Sequence, residues 1–160
     1  MKLVLFEYEC AFDGSLFKAP QLGPHAYGEF LLRKKNSTAL RYLDTIASSA
    51  YEDVAHELDT SSETSGLDEV RQSDVLQAIF GIVACDPDVD GEPFEMGLLP
   101  YCVQCKDPSS LSWRMTDPIE VVEMDVRPVT YLVWNRLSDQ ERKLKIIWNL
   151  RRFLQKSIVV

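Results

Sequence analysis

Two cysteines separated by two residues, Cys102 and Cys105, form the pattern in this sequence that is best suited to chemistry. They follow a short apolar segment and precede a polar turn, and two thiolates on one tight turn commonly bind the same zinc ion. A structural zinc site has four ligands, which normally come from two such turns. We therefore expect a second turn of this kind at the end of another strand.

Cys10 and Asp13 form the best candidate for that second turn. Cys10 ends the first predicted strand, and Asp13 stands where the second cysteine of such a turn belongs. A carboxylate oxygen is an acceptable zinc ligand, so Asp13 completes a set of four. His25 is an alternative ligand on the neighbouring loop, and Cys85 is a weaker one because it follows an apolar helix. The predicted metal ligands are Cys10, Asp13, Cys102 and Cys105.

Three interpretations of the cysteines remain open. The first is a zinc-ribbon-like fold with one degenerate turn and a structural zinc ion. The second is the same fold without a metal. The third is a redox-active thiol pair, although no helix pattern begins at Cys102 to lower the pKa of its thiol. A framework of disulfides is not expected in a cytoplasmic chain of this size.

Strand-like and helix-like segments occur in clusters without regular alternation, which predicts an α+β fold. We expect one domain, residues 1–160, in which a small antiparallel sheet with a degenerate zinc-ribbon-like pair of turns packs with about four helices. The strands are predicted at 3–9, 29–35, 38–43, 112–116 and 119–126. The helices are predicted at 44–58, 65–85, 130–137 and 138–156.

Finer predictions accompany this fold. Residues 10–28 are expected to be a turn-rich connection, and the last two strands are expected to pair with each other across Asp117-Pro118. Ser138 and Glu141 are spaced as a capping box at the start of the C-terminal helix. The Ser/Thr-rich segment 59–66 is expected to be a flexible loop. The expected core includes all three tryptophans, Trp113, Trp134 and Trp148.

The net charge of −8, from 25 acids and 17 bases, is concentrated in the middle of the chain. Residues 41–100 hold fourteen acids and two bases, which gives −12, whereas both flanking segments are mildly basic. An acid excess disfavours nucleic-acid binding and favours encounter with basic proteins. No apolar run approaches the ~20 residues of a membrane span, and Glu7 comes too early for a signal peptide. These features predict a soluble, cytoplasmic protein.

Several motifs together resemble a family of small bacterial proteins with a split zinc-ribbon-like sheet. In that family a C-x-x-C turn follows the first strand, a second one precedes a Trp-containing strand, and a Val-Thr segment followed by Trp-Asn-x-Leu opens the C-terminal helices. Asp13 departs from the second cysteine of the family. The resemblance implies an immunity or accessory protein. The matching residues here are Cys10, Cys102, Cys105, Trp113, Asp117-Pro118, Val129-Thr130 and 134–137.

Charge and resemblance together predict a non-enzymatic protein that neutralises a cognate basic toxin, for example a nuclease, by blocking its active site. No catalytic residue is predicted, because the sequence lacks nucleophile, phosphate-binding and zinc-protease motifs. The expected partner is the toxin, with neither nucleic acid nor membrane. The alternative is a structural zinc-ribbon adaptor module. The predicted contact acids are Glu52, Asp53, Asp59, Glu63, Asp86, Asp88, Asp90, Glu92 and Glu95.

The segment 86–91 also matches the first half of a calcium-binding loop, with acids at alternating positions before a glycine. The match fails further on, because Gly97 stands where the closing bidentate glutamate belongs. We therefore interpret the segment as an acidic exposed loop that is available for recognition.

Overall fold

The computed structural model describes residues 1–106 and 110–157, which form two antiparallel sheets and three α-helices. The predicted mixture of helices with small antiparallel sheets is confirmed. The predicted fourth helix at 130–137 is a single 3-10 turn, Trp134–Arg136. The strands are β1 Lys2–Cys10, β2 Leu16–Gln21, β3 Glu29–Arg33, β4 Leu40–Asp44, β5 Ser110–Met115 and β6 Val121–Glu123. The helices are α1 Ser49–Thr60, α2 Glu69–Ala84 and α3 Asp139–Ser157.

The first sheet is built around β1. One edge of β1 pairs with β2, and the other edge pairs with β5 and then β6, all antiparallel. β2 lies inside the segment predicted as a turn-rich connection, where several glycines and prolines favour turns. Pro20 is tolerated within β2 because this strand lies at the edge of the sheet, where a missing N–H breaks no ladder.

The predicted pairing of the last two strands with each other is wrong. Both lie end to end along the same edge of β1, with Met115 opposite Phe6 and Val121 opposite Val4. The segment between them loops out and returns, since the Leu5 carbonyl accepts from the N–H of Thr116 and the Leu5 N–H donates to the carbonyl of Glu120. The nine-residue β1 is long enough to pair with both short strands in succession.

The second sheet is the hairpin of β3 and β4, which was predicted, and Asn36 with a φ of 51° lies in its turn. Loops close both of its outer edges through bridges from Arg33 to Glu95 and from Tyr42 to Pro128. The buried Arg33 guanidinium donates to the Pro20 carbonyl, which joins this hairpin to the first sheet. The hairpin therefore lies between the first sheet and the helices.

The main core lies between the hairpin and the three helices. Trp134 is fully buried there, as predicted, with Phe80 and Leu150. Trp113 and Trp148 are not core residues, because their side chains are 62% and 57% exposed. Trp113 lies on the outer strand β5. The ring of Trp148 lies under the Arg152 guanidinium, 4.6 Å away, instead of packing inward.

Side-chain caps fix the ends of the helices. The predicted capping box is confirmed: the Glu141 carboxylate accepts from the Ser138 N–H at 2.7 Å, and the Ser138 hydroxyl accepts from the Glu141 N–H at 3.3 Å. Ser48 caps α1 and Asp68 caps α2, each a few residues after the predicted start. No helix in the described part of the chain combines the length and apolar character needed to cross a membrane.

The segment 59–66, predicted to be a flexible loop, connects α1 to α2. It contains the fully buried Thr64, whose hydroxyl donates to the Leu58 carbonyl. Glu63 in the same segment pairs with Arg151 of α3. These contacts attach the middle of the segment to two helices.

A single glycine allows the loop after α2 to lie against that helix. A Cβ atom built on Gly81 would lie 1.9 Å from the Phe94 carbonyl oxygen, whereas one on Gly66 would meet nothing within 4 Å. We predict that Gly81→Ala lowers the free energy of unfolding by about 2 kcal/mol or more, because the backbone must shift. Gly66→Ala should stay within about 1 kcal/mol of the wild type. Urea denaturation of both variants measures this, and equal midpoints would contradict the prediction.

Candidate metal centre

The four predicted metal ligands come together at the end of β1. One ligand atom from each of Cys10, Asp13, Cys102 and Cys105 lies within 4.8 Å of every other. Within the described ranges, no other group of three or more His, Cys, Asp or Glu residues is arranged in this way. His25 and Cys85, the alternative ligands, lie outside the group.

The first two ligands lie on a tight turn between β1 and β2. The Cys10 carbonyl accepts from the Gly14 N–H at 2.9 Å, and the Cys10 N–H donates to the Ser15 carbonyl at 2.9 Å. Gly14 has a φ of 68°, in the left-handed region that glycine enters without steric cost. This turn brings Asp13 back towards the sulfur of Cys10.

The second turn repeats the geometry of the first. The Cys102 carbonyl accepts from the Lys106 N–H at 2.7 Å, and Lys106 has a φ of 59°. In both turns the fifth residue is left-handed and donates to the carbonyl of the first. Asp13 therefore occupies in the first turn the position that Cys105 occupies in the second. The turn predicted after Lys106 falls mostly on residues 107–109, outside the described residues.

Strand pairing brings the two turns together. Residues 102–106 precede β5, and β5 pairs with β1 so that Trp113 lies opposite Tyr8 and Ser110 opposite Cys10. A bulge at Leu111 of β5, opposite Glu9 and Cys10, adjusts the register at this end. The sulfurs of Cys10 and Cys105, 95 residues apart in the sequence, are consequently 3.2 Å apart.

Ser15 is a member of the site that the sequence reasoning missed. Its hydroxyl donates to Asp13 Oδ1 at 2.6 Å, and its main-chain N–H donates to the same oxygen at 3.0 Å. The hydroxyl also lies 3.3 Å from the Cys102 sulfur. An Asp-Gly-Ser segment is typical of a turn in which the aspartate accepts from the residue two positions later, and this was the available signal. Ser15 therefore positions the carboxylate of Asp13.

Hydrogen bonds favour the charged forms of two ligands. Contacts of its carboxylate with the Ser15 hydroxyl, and then with the Ser15 N–H, lower the pKa of Asp13. The Ser15 hydroxyl, when its one hydrogen points to sulfur instead of to Asp13, and then the Cys105 N–H, lower the pKa of the Cys102 thiol to about 7. By contrast, burial raises the pKa of Cys85 to about 12. Both shifts favour the deprotonated forms of Asp13 and Cys102, which are the forms that bind metals.

The predicted contact acids lie mostly against bases of the same chain. Asp53 pairs with Arg142 and Glu63 with Arg151, both on α3. Neither carboxylate is therefore a free charge on the surface. Glu52 and Asp59 of α1 form no ion pair within the described ranges.

The acids of the 86–95 loop face bases of the β3–β4 hairpin. Lys34 lies 2.6 Å from Asp88 and 2.8 Å from Asp90, and Lys35 pairs with Glu95 at 3.3 Å. The Asp86 carboxylate accepts from the main-chain N–H groups of residues 132 and 133. Glu92 is exposed and has no ion-pair partner in the described part of the chain. Two of the three acids that suggested half of a calcium loop, Asp88 and Asp90, are thus paired with the Lys34 ammonium.

No family model, characterised protein or solved structure matches this chain. The resemblance to bacterial zinc-ribbon-like proteins accordingly stays a prediction. What supports a role for the cluster is its own geometry, in which two equivalent turns face each other.

The geometry of the cluster predicts which disulfide forms in the metal-free protein. Diamide, a thiol oxidant, should link Cys10 to Cys105, because their sulfurs are already in contact at 3.2 Å. Cys85 should remain a free thiol until the protein unfolds, since it is buried and its pKa is raised. Peptide mapping by mass spectrometry identifies the product. A main product that links Cys102 to Cys105 would contradict the prediction.

Proposed function

We propose that this chain is a non-catalytic zinc-binding module whose metal is held by Cys10, Asp13, Cys102 and Cys105. The observation that carries the proposal is the pair of equivalent turns that places three thiols and one carboxylate within 4.8 Å of one another. Zn–S bonds of about 2.3 Å put the sulfur atoms of a tetrahedral site about 3.8 Å apart. In the cluster, the sulfurs of Cys10 and Cys105 are 3.2 Å apart, and no two of the four ligand atoms are more than 4.8 Å apart. Small movements would therefore bring the sulfurs to the separation of a zinc site.

The donor set supports a structural rather than a catalytic metal. Four protein ligands complete a tetrahedral shell, whereas catalytic zinc sites leave one position for water. Thiolates select zinc, or iron in sulfur clusters, over magnesium and calcium. Cys10 and Cys102 are fully buried, so water has little access to their side of the site.

The place of the site in the fold indicates what the metal stabilises. Among the described residues, the small core between the first sheet and the β3–β4 hairpin has three buried members, Leu3, Leu31 and Leu40. A small core provides little stability by itself. A metal that joins the β1–β2 turn to the 102–106 turn would hold the outer strand β5 in place. The module would then present the first sheet as a rigid binding surface, in the manner of an adaptor.

Metal analysis of the purified protein tests this function. We expect one zinc per chain in the wild type and none in Cys102→Ser, which removes a buried ligand. Cys85→Ala is the matched control, since Cys85 is also buried but lies outside the cluster, and it should keep the metal. Free zinc at a thousand times its dissociation constant should stabilise the wild type by about 4 kcal/mol. Wild-type protein that is refolded with zinc and binds none would refute the site.

Asp13 gives a second, directional test of the same site. Asp13→Cys should bind zinc more tightly than the wild type, because it completes a four-thiolate set, and Asp13→Ala should bind more weakly. Competition with a chromophoric chelator measures both affinities. If Asp13→Ala binds zinc as tightly as the wild type, the carboxylate is not a ligand.

A groove between α1 and α2 supports a second candidate function, neutralisation of a basic protein partner. The groove has a volume of about 520 Å³ and is lined by Leu58 and Leu76 together with Asp59 and Glu69. Neither acid has an ion-pair partner within the described ranges. Glu52 lies seven residues before Asp59, two helical turns away on the same side of α1. An apolar floor with free acids at its rim suits a basic segment of a toxin.

Co-purification with the product of the adjacent gene tests this second function. At low salt, the double variant Asp59→Lys with Glu69→Lys should weaken binding about tenfold or more, mainly through slower association. Glu92→Lys makes the same charge change at an exposed acid outside the groove, and it should bind as the wild type does. A neighbour that does not bind, or equal weakening by both variants, would rule out the groove.

A further inference from the structure

The outer edge of β5 is open. β5 pairs with β1 on one side, and no strand or isolated bridge among the described residues pairs with its other side. Five of its six residues are exposed. An exposed edge strand presents unpaired N–H and C=O groups to which a further strand can add.

The hydrogen bonds of Leu5 show which residues of β5 face outward. The Leu5 N–H and carbonyl both bond to the segment that continues β5, at Glu120 and Thr116. Main-chain groups alternate in direction along a strand, so Ser112 and Arg114 bond to β1, opposite Glu9 and Glu7. The N–H and C=O groups of Trp113 and Met115 therefore point to the open edge.

The side chains along this edge are apolar and exposed. Leu111 is 68% exposed, Trp113 62% and Met115 41%, and they follow one another at every second position. Trp113 and Met115 lie in regular register and share one face of the strand, and Leu111, at the bulge, is exposed next to them. The Trp113 ring is supported from the side by Phe6, 5.5 Å away between ring centroids, so it is held on the surface.

We propose that β5 pairs with β5 of a second copy of this chain, antiparallel and with Trp113 on the two-fold axis. The strand is complementary to itself in this register. Trp113 lies opposite Trp113 of the partner copy, and Leu111 opposite Met115, so every pair on this face is apolar. The outward N–H and C=O groups of Trp113 form about two main-chain hydrogen bonds across the axis, and those of Met115 add to them on either side.

Charge supports a second copy as the occupant. On the other face of the strand, Arg114 of one copy lies opposite Ser112 of the other. Each Arg114 is already neutralised within its own chain by Glu7, and each Ser112 hydroxyl donates to Glu9. In this register each Arg114 faces a neutral serine of the other copy, so no like charges face each other across the axis. A register shifted towards the C-terminus would place the two Arg114 residues in opposition, which is unfavourable.

Sedimentation equilibrium on the purified full-length protein tests the proposal. Wild type should be a dimer at high concentration, and Trp113→Lys should raise the dimer dissociation constant about tenfold or more, because it puts like charges on the axis. Leu111→Lys should act in the same direction. The matched control is Leu16→Lys, an equally exposed leucine on the opposite edge of the sheet, which should leave the dimer intact. Far-ultraviolet circular dichroism checks that each variant is folded.

Amide hydrogen exchange distinguishes this edge from other contacts. The N–H groups of Trp113 and Met115 should gain protection only at concentrations where the dimer forms, whereas those of Ser112 and Arg114 should be protected throughout. Wild type that stays monomeric up to roughly 1 mM would overturn the proposal. So would a dimer that survives Trp113→Lys and Leu111→Lys, or one that is lost in Leu16→Lys.

Discussion

Main-chain pairing on both edges of β1 is the constraint on which the rest of this structure depends. The β1–β2 pairing is local and requires only the turn at residues 10–14. The β1–β5 pairing joins segments about a hundred residues apart, and it alone brings the 102–106 turn to the first turn. Closing such a long loop has an entropic cost, which a bound metal would offset because it binds only the closed arrangement. Strand pairing and metal binding are thus expected to stabilise each other.

The two sheets differ in the size of the apolar core on which they rest. The helices and the β3–β4 hairpin surround a large apolar core, whereas the first sheet rests on a small one. Bases from its flanks compensate part of the acidic segment 41–100, as in the pairs of Asp53 with Arg142 and Asp88 with Lys34. Each surface pair contributes little stability, but together they reduce the acidic field that the sequence alone predicts. Among the described residues, the acids without an ion pair include Asp59 and Glu69 at the α1–α2 groove and Glu92 in the 86–95 loop.

The sequence allowed the cluster of four donor residues to be predicted, because a turn with two donors at fixed spacing is a local feature. Ser15 was missed because its role depends on how the Asp13 side chain folds back. The acids of segment 41–100 show what the sequence could not predict. Their number is visible in the sequence, but their neutralisation by Arg142 or Lys34 depends on tertiary contacts.

Long-range pairing accounts for most of the errors in the predicted fold. The short segment between β5 and β6 suggests a hairpin, yet both strands pair with β1. The nine-residue β1 offers each of them more main-chain partners than they could offer each other. Trp113 and Trp148 are large and apolar, which favours burial, but both are exposed. Trp113 is exposed because β5 lies at the edge of the sheet, and Trp148 because it lies on the side of α3 that faces away from the core. In α3, Ile146 and Leu150 are buried, whereas Leu144, one turn before Trp148, is 62% exposed, so Leu144 and Trp148 share the outer side of the helix.

X-ray absorption at the zinc edge of the purified protein is the most direct measurement of the central claim. The account predicts a four-coordinate metal with three sulfur neighbours at about 2.3 Å and one oxygen neighbour at about 2.0–2.2 Å. A shell of nitrogen and oxygen atoms alone, or a shell with fewer than three sulfurs, would contradict it.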